Sequence, residues 1–190
     1  MGGAALFNMK QKDKDVLFKE KLLSKLLSTI EKHFPKLEEK ATTDFEKEIK
    51  KYHKEIDDSK ILFFLFVRWF LLKYKVGDYF TLIDFLSTNP DLQFLPREME
   101  FIRNIQEFKE SLFIVKEISA EGKIVKIRSL IDRKDYQIIM VKPFKQNIKE
   151  KVILATIVKR ANGDLFFFGP VLGYTKEEAD KIKKEFFIKK

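Results

Sequence analysis

Up to Leu112 the apolar residues of this 190-residue chain recur every three or four positions. Beyond it they fall into short runs and two-residue alternation, and no Gly-, Ser- or Pro-rich linker separates the two patterns. A chain that switches period so abruptly is held to a helical half followed directly by a β-rich half, and the missing linker favours docked halves over freely hinged ones. The predicted division is 1–14 as a flexible N-terminus, 15–111 as a helical domain, 112–174 as a small antiparallel β-barrel and 175–190 as a C-terminal helix. With 45% hydrophobic residues, such a chain can fill one substantial core or two small ones.

Five helices are expected before Leu112. Leu23, Leu27, Ile30 and Phe34, spaced 4, 3, 4, predict a helix over about 15–33 that Pro35 ends. Phe45, Ile49, Tyr52 and Ile56 predict a second, opened by a capping box of Thr43 with Glu46. A third should start after Ser59 as N-cap and run to about Lys75; it is apolar nearly all round and so should be central. A short helix is expected over Thr81–Ser87, and a fifth from Pro96 with Phe101, Ile105, Phe108 and Leu112 on one face.

Candidate strands follow at 112–118, 123–130, 136–141, 152–158 and 165–168, with Asn162-Gly163 as the strongest hairpin signal. Short strands at this spacing suggest an SH3-like or OB-like barrel, giving an α+β fold. The run Val152–Val158 is apolar on both faces, so one face should fill the barrel and the other meet the helices. Thr175 with Glu178 marks the start of a last helix, to about Phe187.

In order, the segments RWFLLKY, TLIDFL, REMEFIRNIQEFKESLFIVKEI, GKIVKIRSLIDRKDYQIIMV and ILATIVKRANGDLFFFGPVLGY resemble a group of uncharacterised prokaryotic proteins. There a helix with a Trp-Phe pair, here Trp69-Phe70, precedes a small β-unit, here containing Arg128-Ser129-Leu130. The resemblance implies a fold of helices followed by a β-barrel. Some members look to be joined to a Cys-rich zinc motif; this chain has no Cys, so that role does not carry over.

Absence of Cys also removes disulfides and every thiolate chemistry. The N-terminal residues match neither a signal peptide nor a myristoylation site. The apolar run Ile61–Leu72, interrupted by Arg68, spans about 18 Å as a helix against about 30 Å of hydrocarbon. A cytoplasmic location with no membrane contact is the expectation. Thirty-two Lys against six Arg, with 20 Phe and few amides, fits a heat-adapted source.

Catalytic chemistry finds little support. His33 and His53 both fall in helical sequence, and His33 suits a helix C-terminus. Neither a phosphate loop nor a nucleophile elbow occurs. The carboxylates mostly alternate with Lys, as on solvated helix faces. Glu121-Gly122-Lys123 could serve a Mg²⁺-dependent hydrolase with Asp132 nearby, but Gly122 reads as a tight turn. No cofactor or metal is expected.

What distinguishes the chain is its charge. Residues 112–168 hold a net charge of +6 out of +9 in all. On the strand over 123–130, Val125 and Ile127 should point inward and Lys126 and Arg128 outward. Arg133 and Lys134 lie in the next turn, Lys142, Lys145, Lys149 and Lys151 in the following loop, and Lys159 and Arg160 beside the hairpin. Tyr136, Phe144 and Tyr174 are candidate platforms for bases. This pattern predicts a non-catalytic binding module for an acidic partner, a nucleic-acid backbone or an acidic protein. With little Arg, base-specific readout is not expected. The alternative is a scaffold acting through the helical half, as a homo-oligomer using Phe63, Phe64 and Phe66.

Overall fold

The structure is a computed structural model that describes residues 21–50, 56–77, 80–144, 148 and 151–186. Of these, residues 21–40 form one compact unit and those from Ala41 onward a second. The fold is α+β, with six helices and a closed five-stranded barrel among the described residues.

Helix α1 covers residues 21–33 and buries Leu22, Leu26 and Ile30. The expected stripe of Leu23, Leu27 and Phe34 lies half-buried beside it, because the doublets Leu22-Leu23 and Leu26-Leu27 offer two overlapping stripes. Lys36 takes φ 67° after Pro35, and α2 (Leu37–Lys50) begins at once. Thr43 therefore stands in mid-helix instead of capping it. Tyr52 and His53 lie outside the described residues.

Helix α3 (Ser59–Leu72) is capped by Asp58, whose carboxylate accepts from the backbone of Lys60 and Ile61 at 2.8 and 3.1 Å. Asp58 displaces Ser59 from the expected cap because its charge also meets the positive helix end. The helix stops at Leu72, short of Lys75, since two short strands follow: β1 (Lys75–Val76) pairs antiparallel with β2 (Phe80–Thr81). Thr81 and Asp84 form a reciprocal capping box for α4 (Leu82–Thr88). Asp84 also accepts from Gln106 at 2.8 Å, which ties α4 to the end of α5 (Pro96–Gln106).

The barrel strands are β3 (Lys109–Ile118), β4 (Ile124–Ser129), β5 (Asp135–Ile139), β6 (Val152–Lys159) and β7 (Leu165–Phe167). β3 pairs with β6 through Lys109–Ile114 and with β4 through Phe113–Ile118, so it bends to serve both neighbours; a bulge at Lys116 accommodates the bend. β4 pairs with β5, β6 with β7, and the ring closes where Leu165 of β7 runs parallel to Ile138 of β5. The expected all-antiparallel barrel is thus mixed. The strand order β3-β4-β5-β7-β6-β3 makes it an OB-type Greek-key barrel and not an SH3-like one. Parallel closure follows from the connection: β6 returns alongside β3, and its hairpin partner β7 then reaches β5 running in the same direction.

β8 (Leu172–Tyr174) continues along β6 beyond β7, pairing with Val152–Leu154 after a break at Gly169-Pro170. Helix α6 (Lys176–Phe186) follows, opened by the expected Thr175–Glu178 box.

β6 divides its side chains as a doubly covered strand must. Ile153, Ala155 and Ile157 join Phe113, Val115, Val125, Ile127 and Ile138 inside the barrel. Val152, Leu154, Thr156 and Val158 point the other way and are equally buried, with α5 and α6 lying against this strand. On the same outward face of β3, Glu110 meets Arg68 of α3, Nη2 to Oε1 at 3.2 Å, and Lys73 binds its second oxygen. Arg68 Nη1 also donates to the Pro170 carbonyl at 3.4 Å, at the break between β7 and β8.

Candidate functional site

Alternation along β4 gives it a charged outer face. Val125, Ile127 and Ser129 are buried, while Ile124, Lys126 and Arg128 are exposed opposite Ile139, Gln137 and Asp135 of β5. These two cations are neutralised locally. Lys126 Nζ lies 2.8 Å from Glu117 of β3, and Arg128 makes two bonds of 2.7 Å to the Asp135 carboxylate. The Arg128 fork holds the Asp135 carboxyl below its ordinary range. The β4–β5 surface therefore presents paired charges.

At one end of the barrel the β4–β5 turn is built around Asp132. Ser129, buried and hydrogen-bonded to Ser111 at 3.0 Å, accepts from the backbone of Ile131 and Asp132. Lys109, Tyr136 and the Lys134 backbone all donate to the Asp132 carboxylate. Burial pushes this carboxyl up, but the hydrogen bonds outweigh it and leave the group far below its usual range. Lys109 is desolvated too, and its bonds to Asp132 and Tyr136 still leave it raised. The turn is fixed, and Arg133, at φ 60°, and Lys134 project from it exposed.

Lys109 also stands opposite Ile157 of β6, which brings the β6–β7 hairpin to this same end. There Arg160 N donates to Asp164 O at 2.7 Å, Gly163 takes φ 88°, and Lys159 is exposed. Arg133, Lys134, Lys159 and Arg160 thus share one end. Among the described residues, none of the four side chains is held by a carboxylate.

The other predicted residues lie elsewhere. Lys142 is exposed at the opposite end, where the Phe144 backbone closes on Gly122. Lys145 and Lys149 fall outside the described residues, and Lys151 is exposed at the start of β6. The three aromatic residues expected as platforms turn inward. Tyr136 packs edge-on against Phe113 with ring centroids 5.9 Å apart, Phe144 lies 5.6 Å from Phe167, and Tyr174 is buried. Inversion of Tyr136 follows from register, because it stands opposite the inward Ile127.

Glu121 and Asp132 lie in the turns beyond opposite ends of β4, whose six residues span about 20 Å. Glu121 pairs with Lys123 at 2.8 Å across the Gly122 turn. Among the described residues no group of His, Asp and Glu converges as a metal site would require. His33 Nδ1 donates to the Thr29 carbonyl at 2.8 Å, an exposed helix-end bond. No helix among those described is long and apolar enough to cross a membrane.

Comparisons with protein-family models, curated proteins and solved structures gave no match.

Proposed function

We propose that this protein is a non-catalytic binding module whose barrel end, carrying Arg133, Lys134, Lys159 and Arg160, meets the phosphate backbone of a nucleic acid. The observation that supports this reading is the contrast in pairing. Lys109, Lys126 and Arg128 each sit on a carboxylate, whereas, among the described residues, Arg133, Lys134, Lys159 and Arg160 do not. Unpaired cations on two rigid turns match a polyanion at little ordering cost, and phosphate contacts by Lys and Arg need no base readout. With all three candidate aromatics turned inward, base stacking adds nothing, so binding should be sequence-independent and salt-sensitive.

The test titrates labelled single-stranded RNA and DNA at about 50 and about 200 mM salt. Binding should appear at the lower salt and weaken steeply at the higher, and R133E/K134E/K159E should abolish it. If wild-type protein binds neither strand at low salt, the reading fails. Capture of polyglutamate but not of nucleic acid would reassign the surface to an acidic protein.

A second reading has its own support. Phe63 and Phe64 on α3 are 49% and 37% exposed, while Phe66 packs against Phe45 and Phe70. Two adjacent exposed rings on a helix that is buried from Val67 to Leu72 suit self-association.

A further inference from the structure

Arg160 differs from the other cations at its end of the barrel. Its backbone is fixed by the hairpin, with its N–H given to Asp164 and its carbonyl taking the Gly163 N–H at 2.9 Å. Its guanidinium lies over Phe166, 5.3 Å from the ring centroid, and Phe166 stacks in turn on Phe101 of α5. In that position Nε and Nη2 are sealed from water and, among the described residues, donate to no acceptor. The nearest carboxylate in the hairpin is committed elsewhere: Asp164 accepts from the Asn162 side chain at 2.8 Å.

A buried charged N–H without an acceptor is costly, and the face of a phenyl ring offsets only part of that cost. Nε and Nη2 also form the edge of the fork that grips two oxygens of one anion. The group best suited to hold a phosphate is thus stored where it makes neither of its two hydrogen bonds, beside the exposed tip Ala161–Gly163. From this we infer that Arg160 swings off Phe166 when the barrel end meets a nucleic-acid backbone, and that its Nε–Nη2 edge takes two oxygens of one phosphate. The inference rests on the nucleic-acid reading above. It deepens that reading by separating one stored, two-pronged contact from Arg133, Lys134 and Lys159, which are already in water.

Two variants of the full chain, R160M and R160K, test it by melting and by titration with labelled single-stranded RNA. Met keeps an apolar chain over Phe166 and removes the unpaired N–H groups, so R160M should melt at or above the wild-type temperature. A fall of several degrees would overturn the inference, since the guanidinium would then be well satisfied where it lies. In the titration R160M should bind about tenfold more weakly, with a salt slope smaller by about one, and R160K should recover the slope but only part of the affinity. Wild-type binding that R160M leaves unchanged overturns this inference alone. Absence of wild-type binding overturns it together with the reading beneath it.

Discussion

Arg68 on α3 and Glu110 on β3 meet at 3.2 Å with their side chains 3% and 8% exposed, a charge pair drawn out of water between a helix and the barrel. Such a pair gains little over an apolar filling, but losing Arg68 leaves the buried Glu110 carboxylate with Lys73 alone to hold it. Arg68→Ala should therefore cost about 3–5 kcal/mol in urea unfolding. Arg68→Met with Glu110→Leu should recover most of that loss. A double variant as unstable as the single one would show that the pair itself, and not the stranded charge, carries the effect.

Thr156 stands opposite Glu110, buried, and its hydroxyl has no partner among the described residues. Thr156→Val keeps the shape and removes the orphan group, so it should stabilise by about 1 kcal/mol. Calorimetry checks this, and a lowered melting temperature would place a partner on that hydroxyl.

Gly122 and Gly163 both take positive φ, 65° and 88°, but differ in space. A Cβ at Gly122 would lie 2.9 Å from the Phe144 carbonyl oxygen, whereas at Gly163 the nearest atom is Lys159 Cε at 4.0 Å. Gly163→Ala should cost only the backbone strain, about 1 kcal/mol, and Gly122→Ala at least twice that. Equal losses in thermal unfolding would remove the steric contribution.

Asp132, Asp84 and Asp135 are all held below the ordinary carboxylate range. For Asp132 and Asp84, hydrogen bonds overcome burial; for Asp135, the Arg128 fork dominates. A depressed folded-state pKa gives stability that is present above the unfolded value, about 4, and is lost as pH falls below it. Lys109 is raised, so its share persists below about 10.4 and fades above. Stability should be flat between these limits. Asp132→Asn should lower the plateau by about 1–3 kcal/mol and make the acid limb shallower. An unchanged acid limb in chemical unfolding from pH 2 to 7 would exclude Asp132 as a contributor.

For the second reading, Phe63→Ser with Phe64→Ser should leave the melting temperature nearly unchanged and reduce any concentration-dependent mass seen by light scattering. A wild-type monomer at every concentration would dispose of self-association through α3.

The elements legible in the sequence were those whose signals are local. The Thr175–Glu178 box, the Asn162-Gly163 hairpin and the two-faced run of β6 each depend on neighbours a few residues away. Parallel closure of β5 on β7 was not legible, because it depends on where β6 docks. The start of α2 was misplaced for a different reason: Thr43 and Glu46 satisfy a capping rule, but nothing local breaks the helix between Leu37 and Thr43. The platform reading of Tyr136 could have been corrected from sequence alone, since Tyr136 shares the parity of the apolar Ile138 and is followed by the polar Gln137. Local pairing of Lys126 and Arg128 needed the register, which brings Glu117 and Asp135 opposite them.

Because β3 serves two partners, the barrel also has an order of assembly. β3, β4 and β5 are joined by short turns and can pair as a meander, but Lys109 cannot meet Ile157 until the chain through residue 157 has returned, nor Ile138 meet Leu165 until the chain through residue 165 has. Long loops close slowly, so the meander should form first and wait with the edges of β3 and β5 unpaired. Pulse-labelled hydrogen exchange should protect β4 amides before those of β6, and simultaneous protection would refute this order. During that interval the chain exposes two free β edges, so slow refolding at high concentration, and not the finished surface, is where aggregation should begin.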